Sequence, residues 1–69
     1  MTYYEVQRRR TAGAYIGIKA FASRQAAREH LAKIATETPS YPYDGGDTYK
    51  VGTSSHNNIR YRIVERPLN

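Results

Sequence analysis

Apolar residues in this chain repeat every second position on both sides of one segment where they repeat at helical spacing, and that order limits the fold more than any other feature. Over residues 2–9, Tyr4 and Val6 alternate with Tyr3, Glu5 and Gln7. Over 14–22, Ala14, Ile16, Ile18 and Ala20 alternate with Tyr15, Gly17, Lys19 and Phe21. Arg10-Thr11-Ala12-Gly13 lies between them as a turn, so the two runs read as a hairpin. Ser23 then supplies an N-cap, because its hydroxyl can accept from a first-turn amide that has no helical partner. Ala27, Leu31 and Ile34 follow at helical spacing with His30 on the flank, while Arg24, Gln25, Arg28, Glu29 and Lys33 lie away from that stripe. Pro39 restricts Thr38 to extended geometry, which ends the helix near Glu37.

Two prolines, two glycines and two aspartates between Thr38 and Asp47 exclude regular structure there. Residues 48–54 form a third strand with Tyr49, Val51 and Thr53 on one side. Ser55-His56-Asn57-Asn58 is turn chemistry. In residues 59–66, Ile59, Tyr61 and Ile63 alternate with Arg60, Arg62 and Val64, and Pro67 ends the run. The expectation is one α+β domain over 1–69, in the order ββαββ: a four-stranded, mostly antiparallel sheet with one helix packed on one face.

A 69-residue chain buries only about 60% of its unfolded surface, and such domains usually need a disulfide, a metal or a partner. With no cysteine, disulfide and zinc-thiolate support are excluded, which leaves self-association, and hence a homodimer, as an expectation. No apolar stretch approaches the roughly 20 residues of a membrane span, and the first residues lack the basic and apolar regions of a signal peptide. The chain is therefore expected in the cytoplasm with no membrane partner.

One helix can cover only one face of four strands. Alternation assigns Tyr4, Val6, Ile16, Ile18, Tyr49, Val51, Ile59, Tyr61 and Ile63 to the covered face. It assigns Tyr3, Glu5, Gln7, Arg9, Tyr15, Lys19, Lys50, Arg60 and Arg62 to the open one. Eleven Lys and Arg against six Asp and Glu give a net charge of +5, and eight of the eleven are arginine. Seven of the eight aromatics are tyrosine. Cations release counterions from phosphates and flat rings stack on bases, so such a face suits a polyanion. Two other uses are open to it: a polar face left in water, or a face buried between two copies. Arg8, Arg9 and Arg10 are consecutive at a strand end and project to both sides, so they join the candidates, together with Arg60, Arg62, Lys50, Lys19, Tyr15 and Tyr3.

No template for catalysis fits. His30 and His56 have no carboxylate or thiol at metal-ligand spacing. Ser54-Ser55-His56 joins a nucleophile type to a base type, but neighbours at a strand end point apart. Asp44-Gly45-Gly46-Asp47 lacks the further oxygen ligands calcium needs and reads as a turn. Gly13 to Gly17 matches neither the dinucleotide fingerprint nor the P-loop. No enzyme activity, cofactor or metal is expected.

The segment Phe21-Ala22-Ser23-Arg24-Gln25-Ala26-Ala27, an aromatic strand end, a Ser cap and a helix begun by alanines, resembles a pattern of small phage and mobile-element proteins. Among these the element order resembles small phage anti-CRISPR proteins. It is similar also to the arm-type DNA-binding domains of phage integrases, whose usual order places three strands before the helix rather than two. The first resemblance implies a phage-encoded inhibitor that engages a host nucleoprotein complex. The second implies a direct DNA- or RNA-binding domain of a recombinase or regulator. A structural homodimer or assembly subunit is the third reading.

Overall fold

The structure is a computed structural model and describes residues 1–10, 13–37, 42–52 and 58–68. It has the expected class and order: β1 (Thr2–Arg10), β2 (Ile16–Phe21), α1 (Arg24–Glu37), β3 (Thr48–Val51) and β4 (Ile59–Pro67). The middle of the hairpin turn, the first four residues of the long loop, and the turn expected at 55–58 apart from Asn58 lie outside the described residues. So do Thr53 and Ser54, expected at the end of the third strand.

All three strand pairings are antiparallel, and the spatial order is β2-β1-β4-β3. The chain therefore leaves the sheet at one edge after β2 and re-enters at the other edge as β3. α1 fills that crossing, which is why one helix touches all four strands. It begins where expected, with the Ser23 Oγ accepting from the Ala26 amide at 3.1 Å.

The core is small. Val6, Ala27 and Leu31 are fully buried, Tyr49 and Ile63 nearly so. Tyr4, Phe21, Ile34, Tyr43, Val51 and Tyr61 pack around them half-buried. Val6 stands opposite Ile63 and Tyr49 opposite Tyr61 in the registers, so the β1, β3 and β4 residues expected under the helix share one face.

β2 departs from expectation. Tyr4 pairs with Phe21 and Val6 with Lys19, which sets Phe21 and Lys19 on the helix side. The register then shifts and Gln7 pairs with Gly17, leaving Ile18 as the extra residue of a bulge. By alternation from Lys19, Ile18 falls on the open face, 37% exposed. Ile16 returns to the helix side opposite Arg8 but is 55% exposed, outside the helix footprint. Phe21 explains the inversion: its ring packs on the His30 ring at 5.3 Å, and that contact with the middle of α1 anchors the strand. The Lys19 ammonium lies 5.6 Å from the centre of the same ring. Partial burial, then the charges of Lys19 and Lys33, lower the His30 pKa against a weaker opposing pull from Glu37.

The helix is also tied to the entry of β3. Arg24 and Arg28, expected on a free helix surface, both bind the carboxylate of Asp47; the Arg28 Nε reaches Asp47 Oδ1 at 2.8 Å. The turn before it closes on itself: the Asp44 Oδ1 accepts from the Gly46 amide at 2.9 Å, and Gly45 takes a φ of 84° that favours glycine. Burial alone would raise the Asp47 pKa, but hydrogen bonds and charge from Arg28 and Arg24 outweigh it and hold the carboxyl below its ordinary value. A carboxyl depressed in the folded state stabilises fully above its unfolded value, about pH 4, and the contribution is lost as pH falls through the folded value. Thermal melts between pH 6 and pH 3 (about the carboxylate range) should therefore show the parent losing more stability than Asp47→Asn. Equal losses in both proteins would mean that the clamp contributes nothing.

Candidate nucleic-acid interface

The open face is built from alternate residues of three strands in register. Tyr3 stands opposite Arg66, Glu5 opposite Val64, Gln7 opposite Arg62 and Arg9 opposite Arg60. On the far side of β4, Thr48 stands opposite Arg62 and Lys50 opposite Arg60. Arg9, Arg60 and Lys50 therefore form a row of three cations straight across β1, β4 and β3. Like charges directly opposite each other destabilise a sheet, so this row works against folding. With Arg62 and Arg66 the face carries five cations, and Glu5 is its one acid among the described strand residues. The ion pairs among the described residues belong to Arg24, Arg28 and Asp47, so Arg9, Arg60, Arg62 and Arg66 make no direct ion pair with a described carboxylate.

Arg62 is held in place. Its Nε donates to the Gln7 Oε1 at 2.7 Å, and the Gln7 Nε2 donates to the Glu5 Oε1 at 2.7 Å. Gln7 is 7% exposed although it lies on the uncovered side, and both ends of its amide are satisfied. The Tyr15 ring closes over Arg62, with the guanidinium carbon 3.8 Å from the ring centre, and Arg9 lies 5.5 Å from the same centre. Gly17 makes room for this arrangement, since a Cβ there would stand 2.6 Å from the Glu5 carboxylate. The Nε bond leaves both Nη groups of Arg62 outside the relay, on a guanidinium whose orientation is fixed before any partner arrives.

Six of the nine residues singled out in the sequence share this face: Tyr3, Arg9, Tyr15, Lys50, Arg60 and Arg62. Three do not. Lys19 is on the helix side, carried there by the register of Phe21. Arg8 and Arg10 are also on that side, opposite Tyr61 and Ile59, because neighbours in a strand alternate. Arg66 was missed, though the alternation of Arg60 and Arg62 continued two steps finds it. The Glu5–Gln7–Arg62 relay had no sequence signal beyond shared parity, because the cross-strand register creates it.

Among the described residues no helix is long and apolar enough to cross a membrane. Comparison with protein-family models, curated proteins and solved structures finds no match.

Proposed function

We propose that this protein is a non-catalytic binding module whose open sheet face engages the phosphates of a nucleic acid, free or displayed by a host nucleic-acid-handling complex. The observation that carries this reading is the Arg9–Arg60–Lys50 row. Three cations set directly opposite one another oppose folding, and an anionic partner lying across them turns that repulsion into attraction. A second copy paired face to face about a two-fold axis through the row would not do so, because the row would then meet its own equivalent. A face kept only for solvation has no need to gather five cations around a single strand acid, Glu5. The pre-oriented Arg62 fits a phosphate, which a planar fork binds through paired hydrogen bonds.

The test is a salt series on labelled DNA and RNA. Log affinity should fall linearly with log salt, with a slope of up to about −4.5 if all five cations meet phosphates at roughly −0.9 each. A phage-type inhibitor that recognises the protein part of a nucleoprotein complex would instead bind that complex with little salt dependence and leave free nucleic acid alone. That outcome would overturn the phosphate reading.

A further inference from the structure

The open face is not flat. A recess of about 380 Å³ opens beside the cationic row; Tyr15, Pro42, Asp44, Thr48, Lys50 and Arg60 line it together with Tyr49 and Tyr61 of β3 and β4. Its size falls at the small end of pockets that hold a small organic group. Tyr15 comes from the segment before β2, and Pro42 and Asp44 from the segment before β3, so it lies between chains arriving from opposite edges of the sheet. Its lining joins an aromatic ring anchored by Arg62, cations from the row, and a carboxylate that only accepts hydrogen bonds.

A duplex presents phosphates to such a face but keeps its bases stacked inside, where this recess cannot reach them. An unpaired strand presents both. We infer that the recess seats one unpaired base of a single-stranded nucleic acid, with Tyr15 as the stacking surface. Arg60 and Lys50 meet the adjoining phosphates, and Asp44 accepts from an N–H on the base edge. The Asp44 Oδ1 already accepts from the Gly46 amide, which holds the carboxylate in position. This inference rests on the phosphate-binding reading above and narrows it from any nucleic acid to an unpaired one. Cations beyond the recess, Arg62 and Arg66, favour a continuing strand over a free nucleotide.

Fluorescence anisotropy at low salt, with a mixed-sequence strand of about 12 nucleotides as DNA and as RNA and with the DNA in duplex form, tests it. The single strands should bind about ten-fold tighter than the duplex, a margin that loss of one stacked base can account for. Tyr15→Ala should remove most of that margin, weakening the single strands by clearly more than the duplex, which loses only the packing of Tyr15 on Arg62, while Tyr15→Phe keeps the margin; circular dichroism checks that both variants fold. Equal DNA and RNA binding points to base and phosphate alone, and preference for RNA adds a contact to the 2′-hydroxyl; both agree with the inference. Equal affinity for single strand and duplex overturns the base seat while the phosphate reading stands. So does a single-strand preference that survives Tyr15→Ala. Displacement of the strand by a matching concentration of nucleoside monophosphates overturns the strand and reassigns the seat to a free nucleotide. Absence of binding to any of the three probes overturns both the base seat and the phosphate reading.

Discussion

Leu31→Ala should cost about 2–5 kcal/mol, enough to leave much of the protein unfolded at room temperature. Leu31 is fully buried in a core that, among the described residues, holds five buried apolar side chains. A domain of this length has a total stability of only about 3–10 kcal/mol, so one cavity removes a large fraction of it. The neighbours cannot easily collapse into the gap, because Val6 and Ile63 are fixed by their pairing in the middle of the sheet. In urea, followed by far-ultraviolet circular dichroism, the midpoint should fall by about 2 M or more for a small domain with a slope near 1 kcal/mol per molar. Ile18→Ala provides the contrast. As the extra residue of an edge-strand bulge, Ile18 should tolerate the change within roughly 1 kcal/mol. Were Ile18→Ala as damaging as Leu31→Ala, β2 would have the opposite face toward the helix, and the bulge would be misplaced.

That contrast marks the place where the sequence was ambiguous. Over β3 and β4 one parity is rich in Val, Ile or Tyr and the other in Arg or Lys, and in β1 Tyr4 and Val6 stand against Glu5 and Gln7, so hydrophobic burial has a single solution. In 14–22 both parities are mixed: one holds Ile16 and Ile18, the other Lys19 and Phe21. Counting apolar residues selects the first. The single large ring, placed where the strand runs into the helix, selects the second, because Phe21 buries more surface than either isoleucine on that edge can. The bulge then lets the rest of the strand depart from strict alternation without losing its pairing. The site divides in the same way. Arg60, Arg62, Lys50 and Arg9 follow from alternation, whereas their alignment into one row depends on register, which no single strand encodes. The double clamp of Arg24 and Arg28 on Asp47 was equally hidden, since it joins a helix to a loop 19 and 23 residues away.

Arg60→Glu should abolish most binding while leaving the fold intact or slightly more stable. Arg60 stands between Arg9 and Lys50, so the change converts two like-charge neighbours into two attractive ones. Cross-strand charge pairs of this kind contribute a few tenths to about 1 kcal/mol, less where salt and water screen them, so the melting temperature should hold or rise by up to about 5 °C. Binding moves the other way. The variant loses a charge-assisted contact and sets a carboxylate at the centre of the row that meets phosphate, weakening affinity by about 10- to 100-fold at low salt. The salt slope should become shallower by about one phosphate equivalent or more. Arg62→Glu is a poorer probe, since it would place a carboxylate beside the Gln7–Glu5 pair and damage the fold together with the site. Lys33→Glu makes the same change in net charge on an exposed helical position and should bind close to the parent. A change in net charge alone would weaken both variants alike. Arg60→Glu should therefore separate from Lys33→Glu in affinity while matching or exceeding the parent in melting temperature. An Arg60→Glu protein that melts like the parent and binds like the parent would place the interface somewhere other than the open face of the sheet.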